Sequence, residues 1–290
     1  MSHFSVAVFT KPNGATVDEL LAPYYEGIEM EPYIQYTRQE AIDKVRKETR
    51  EYMESPRYKE YLENPEAYKA KCESRNNMVH FEYISTYHER LNWTDEQCYE
   101  EEKQWFEDDM IDEEGNLLST YNPLSKWDWY SIGGRFPGKL KSKIGEHGEG
   151  SAFRNNPRVD GKFDSAKVGD IDFSMDMDAY DKAIRYWEVI VEKQPLTANE
   201  DKDDFVNWYR DGYYEEYYRD KETFAKICAS YNTYAVVTPD GKWWSKGDML
   251  YFGASTETGN ESLDWDLHYK ERSIDTADPD WTLTIVDCHI

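Results

Sequence analysis

The chain is short of the features that mark redox, zinc-binding and membrane proteins. Its four cysteines, Cys72, Cys98, Cys228 and Cys288, stand far apart with no C-x-x-C pair, which argues against a zinc ribbon or a dithiol redox motif. No stretch approaches the roughly 18 consecutive apolar residues of a membrane-spanning helix. The opening MSHFSVAVFTKPNG carries no basic segment ahead of its short apolar run, so a first strand is expected there rather than a secretory leader. A cytoplasmic setting with reduced thiols is the corresponding expectation. Positive charge is also scarce: 34 Lys and Arg face 59 Asp and Glu, a formal net charge of −25. Such a chain repels nucleic acid and anionic membranes, so direct partners of either kind are not expected. Neither a G-x-G-x-x-G fingerprint nor a Walker sequence occurs.

What is abundant is aromatic. With 24 Tyr, 11 Phe and 10 Trp in 290 residues, the chain can bury a core and is expected to fold despite its charge. HFSVAVFT (3–10) and WTLTIVDCHI (281–290) read as strands, and TYAVVT (233–238), a Pro-Asp-Gly turn and KWWS (242–245) read as a hairpin. A further short strand is expected at 249–253. Helical signal dominates from Thr37 to Asp109, opened by a Thr37–Glu40 capping box and punctuated at Ser55-Pro56 and Asn64-Pro65. It returns at 177–193, 201–230 and 262–272. The fold class expected is α+β: a mostly antiparallel sheet formed by the N- and C-terminal regions, with large helical insertions. Segments 1–36, 117–173 and 231–290 would form the sheet domain, and 37–116 and 174–230 the insertions or a second lobe.

Four constellations invite a chemical reading. WDWYSIGGRF (127–136) places Trp127, Asp128 and Trp129 ahead of Gly133, Gly134 and Arg135. A ligand loop is one reading. A structural motif is the preferred one, with both tryptophans on one strand face in the core and Asp128 paired to Arg135 across the turn. The acids Asp170, Asp172, Asp176 and Asp178 could gather around Mg²⁺ or Ca²⁺, but acids at a strand edge and a helix N-terminus are the simpler reading. Cys288 and His289 are neighbours on a strand, so they point to opposite faces and cannot pair as nucleophile and base; Cys288 is expected beside Val286. His3 would approach His289 if the first and last strands pair. Last, 94–115 holds eleven Asp and Glu with one Lys, and DGYYEEYYRD (211–220) interleaves acids with four tyrosines. On a helix Tyr213 sits beside Tyr217 and Tyr214 beside Tyr218, too wide for a narrow core stripe. Tyr213, Tyr214, Glu215, Glu216, Tyr217 and Tyr218 are therefore expected to form a partner-binding surface.

The start MSHF, the central N-P-x-S-K-W-D-W-Y-x-I-G-G-R (Asn122 to Arg135), K-x-G-D-I-D-F (Lys167 to Phe173) and the ending T-I-V-D-C-H-I together resemble a family of phage and prophage accessory proteins. In size and layout the chain is similar to phage inhibitors of the Gabija anti-phage defence system. That resemblance implies a non-enzymatic protein without metal or cofactor. It would form a homo-oligomer around a bacterial nuclease–helicase complex in the infected host cell and block DNA binding and cleavage. The helical stretches 37–116 and 174–230 carry no part of the resemblance. The alternative expectation is a metal-dependent phosphoesterase or nucleotide hydrolase using Asp128, Asp170 and Asp172, with Arg135 as an anion clamp.

Overall fold

Valine, isoleucine and phenylalanine crowd both faces of the two terminal strands, a pattern that only a sheet covered on both sides can accommodate. A computed structural model describes residues 2–143, 162–207, 209–250 and 254–290. In chain order the strands are β1 (His3–Thr10), β2 (Tyr33–Tyr36), β3 (Leu117–Ser119), β4 (Trp129–Ile132), β5 (Leu140–Lys141), β6 (Lys162–Phe163), β7 (Ser165–Lys167), β8 (Ala235–Val237), β9 (Trp243–Ser245) and β10 (Thr282–His289). The helices are α1 (Val17–Leu21), α2 (Arg38–Glu54), α3 (Pro56–Glu63), α4 (Pro65–Ser74), α5 (Met78–Thr86), α6 (Asp95–Lys103), α7 (Met177–Ile190), α8 (Tyr213–Tyr218), α9 (Lys221–Cys228) and α10 (Gly259–Tyr269). None of the described helices is long and apolar enough to cross a membrane.

The architecture is α+β with a mixed, mostly antiparallel sheet in the order β4-β10-β1-β8-β9, and β7 pairs β10 alongside β4. β1 and β10 pair antiparallel over their full length, from His3 opposite His289 to Thr10 opposite Thr282. β1 and β8 are parallel, and the Gly241 turn returns β8 into β9. Alternation then sorts the side chains. Phe4, Val6, Val8, Val286 and Cys288 face a core closed by Leu20, Leu21, Tyr24 and Trp127. Ala7, Phe9, Val236, Leu283 and Ile285 face a second core closed by Leu140, Phe163, Ile171, Tyr269 and Ile274. A third cluster joins α7, α8 and α9 around Trp187, Tyr214 and Phe224.

The chain divides into two compact units, one of residues 1–28 with 122–290 and the other of Glu29–Tyr121. The helices at 177–228 belong to the sheet-containing unit and do not form a separate lobe. They are also shorter than the continuous 201–230 signal suggests. Gly212 adopts a left-handed conformation ahead of α8, Arg219 has a positive φ after it, and Asp220 caps α9 anew. The 29–121 unit is built from α2 to α6 and the β2–β3 pair. Its helix starts follow local chemistry: Thr37 with Glu40 and Thr94 with Gln97 form reciprocal capping boxes, and Pro56 and Pro65 open α3 and α4. At 249–253 the described residues show only a bridge from Met249 to Ser255; 251–253 lie outside them.

Candidate functional site

One face of the sheet changes character along its length. The row that carries Leu283 and Ile285 continues on β10 with Asp287 and His289, because alternate residues share a face. Cross-strand partners extend the polar patch: His3 and Ser5 on β1, Trp129 and Ser131 on β4. Within it two imidazoles meet two carboxylates. His3 Nδ1 lies 2.9 Å from Asp287 Oδ1 and His289 Nδ1 lies 2.6 Å from Asp128 Oδ1. A carboxylate only accepts, so in both rings Nδ1 carries the proton and donates it. The two rings meet edge to face at 4.8 Å, and Trp129 stacks on His289 at 5.0 Å.

The Gly-Gly turn closes over this patch. Gly133 and Gly134 have φ of +70° and +48°, and a Cβ on Gly134 would fall 2.3 Å from Asp287 Cβ. The turn thereby brings the Arg135 N–H to 2.9 Å from Asp287 Oδ2, so both oxygens of this buried carboxylate are satisfied. The Asp128 N–H donates to the His289 carbonyl at 2.9 Å. WDWYSIGGRF is thus a clamp on the end of the last strand. His289 has the bonded Nδ1 of a general base, but its Nε2 is sealed from solvent with no hydrogen-bond partner among the described residues.

Two expectations for the motif need correction. Trp127 and Trp129 do not share a face: β4 begins only at Trp129, so alternation does not extend to Trp127. Trp127 is buried, with its indole N–H on the Leu21 carbonyl, whereas Trp129 is 45% exposed. Asp128 pairs with His289 rather than Arg135, whose guanidinium has no carboxylate partner among the described residues. Cys288 is buried in the same cluster as Val286, and burial pushes its thiol well above the usual range.

The acids do not assemble. Asp128 is held at the His289 end of β10, while Gly169, next to Asp170, donates to the Pro279 carbonyl beyond its other end. The length of the strand, roughly 25 Å, separates them. Asp172 accepts from the Ser174 N–H, which lowers its pKa, and Asp176 caps α7 through the N–H groups of Asp178 and Ala179. No group of three His, Cys, Asp or Glu suited to a metal occurs among the described residues.

The tyrosines of 213–218 spend much of their area within their own unit. Tyr214 is buried against Trp187 and Phe224, and its hydroxyl shares a 2.8 Å hydrogen bond with Tyr186. Tyr213 stacks between Tyr209 and Tyr217 at 4.0 and 4.3 Å, and burial pushes its hydroxyl up to about 12. What remains outward is Glu215 and Glu216, with the half-exposed edges of Tyr213, Tyr217 and Tyr218. The acidic stretch 94–115 behaves differently. Its first half is paired, Arg46 with Asp95, Arg38 with Glu96 and Lys44 with Glu102. Its second half presents Trp105, 78% exposed, followed in the chain by exposed Glu107, Asp108, Asp109, Glu113 and Glu114. None of these five forms an ion pair among the described residues. Composition points to this stretch, but burial is needed to single out Trp105. Comparison with known proteins finds no family model, curated protein or solved structure that matches the chain.

Proposed function

We propose that the chain acts by binding, as a phage-encoded inhibitor of a bacterial DNA-processing immune complex of the Gabija nuclease–helicase type, in the cytoplasm of the infected host cell. It is non-enzymatic in this reading, and it occludes the cationic surface on which the complex receives DNA. The observation that carries the reading is the exposed acidic stretch that follows Trp105, here called the acidic rim. An exposed tryptophan supplies an apolar anchor, and the five carboxylates that follow it in the chain, without ion pairs among the described residues, are attracted to a surface built for phosphates. The acid–tyrosine edge at Tyr213, Glu215, Glu216 and Tyr217 is a second contact of the same chemistry. Self-association of the chain would present several copies of each and multiply weak contacts.

The test is co-elution of the purified protein with a purified Gabija complex, followed by DNA cleavage by that complex. A stable larger species and loss of cleavage are expected. The triple variant Glu107→Lys, Asp108→Lys, Asp109→Lys should keep the wild-type Tm and lose co-elution. Separate elution of the wild-type protein would remove this target. Intact binding by the triple variant would remove the surface.

A further inference from the structure

The surroundings of Arg135 and the β5–β6 pair reverse the charge of the rest of the molecule. Arg135, Lys139, Lys141 and Lys162 line one cavity of about 360 Å³, together with Asp176 and Tyr231. All belong to the sheet-containing unit. That volume lies within the range of small-molecule sites, roughly 300–1,000 Å³. In a chain of net charge −25, four cations against one lining carboxylate is a local inversion that the sequence as a whole does not favour.

The cations are sparsely paired, as are Arg57, Lys69 and Arg75 in the other unit among the described residues. Arg46, Lys71, Arg90, Arg185 and Lys246, elsewhere in the chain, each pair with a carboxylate. Arg135 and Lys162 pair with none among the described residues, and Lys141 has only Asp172 at 3.8 Å. Asp176 is occupied: its Oδ1 accepts from the first N–H groups of α7. Lys139 donates its ammonium to the Asn232 carbonyl, and burial lowers its pKa to about 8 against the attraction of Asp266, with Lys246 adding to the fall. A desolvated ammonium gains further stabilisation from an anion that enters beside it. Tyr231, packed edge to face on Phe173, supplies an aromatic wall.

We propose that this cavity binds a free nucleotide, its phosphate held by Arg135, Lys141 and Lys162 and its base against Tyr231. A planar guanidinium flanked by ammonium groups is the usual donor set for phosphate oxygens. A single nucleotide fits better than a nucleic acid strand. The cavity admits one, and the acidic remainder of the molecule repels a polyanion that must extend past it. The site is independent of the acidic rim and of the inhibitor reading.

Isothermal titration of the full chain with ATP, AMP, adenosine, inorganic phosphate and a 20-nucleotide single strand tests the proposal. ATP and AMP should bind saturably, adenosine and phosphate each at least tenfold more weakly, and the oligonucleotide no better than AMP. Arg135→Ala and Lys162→Glu should each weaken ATP at least tenfold while leaving the ligand-free Tm unchanged. Lys242→Glu, on the β8–β9 hairpin, should change nothing. Absence of saturable ATP binding at millimolar concentration overturns the proposal. So does ATP binding that survives both variants, phosphate binding as tightly as AMP, or preference for the oligonucleotide.

Discussion

The two units handle charge in opposite ways. Residues 29–121 carry 24 Asp and Glu against 12 Lys and Arg, a net −12 in 93 residues, while the other 197 residues carry nearly the same net charge, −13. The helical unit thus has about twice the charge density. It leaves nearly all its charges on the surface, Glu102 being buried against Lys44; neighbouring helices pair some of the rest, and the five acids that follow Trp105 have no ion pair among the described residues. The sheet unit buries charge instead. Asp287 is 1% exposed and survives because His3 and the Arg135 N–H satisfy it. Exposed carboxylates cost little and remain available to a partner. Buried ones are affordable only with complete hydrogen bonding, and they fix the fold more than they recognise anything.

That contrast can be broken from either side. The largest effect is expected from Gly134→Ala. The new Cβ meets Asp287 in a left-handed conformation, and the cost of strain and overlap is about 3 kcal/mol. A clear fall in the chemical denaturation midpoint checks it, and an unchanged midpoint would mean that the turn does not clamp the strand. Next, Asp128→Ala leaves the buried His289 N–H without its acceptor and should cost about 2 kcal/mol. Asp128→Asn retains an acceptor oxygen and should recover most of that loss. Equal losses in the two variants would make the carboxylate charge, not the hydrogen bond, the stabilising element. The smallest effect belongs to the helical unit: Thr37→Ala removes one capping box and should cost about 1 kcal/mol, read as a modest drop in helical signal and Tm.

How much was legible differs along the same line. In the helical unit the start of α2 at Thr37 and of α6 at Thr94 follows from residues three apart, and Pro56 and Pro65 mark the next helices. A similar reading placed β1, β8, β9 and β10, while the pairing of the terminal strands that brings His3 to His289 entered only as a condition and was supplied by the structure. It failed for Trp129, because alternation was extended past the end of β4. It failed for Asp128, because its partner, His289, is brought to it by the pairing of β4 with β10 and lies 161 residues away in sequence. The 201–230 helix failed at Gly212 and Arg219, where positive φ breaks a continuous apolar pattern.

From the sequence alone came the helix starts, the strand-rich termini, the excess of acid and the absence of paired cysteines. Each rests on contacts that close within about four residues or on composition, and neither needs a fold to be read. Only the tertiary structure decided that Asp128 serves His289, that Asp287 serves His3 under a Gly-Gly turn, that Asp128 stands a strand's length from Asp170, and that Arg135, Lys141 and Lys162 share a cavity with Tyr231. These partners are set by strand register and by which segment crosses which, and a shift of one residue would turn every side chain to the other face.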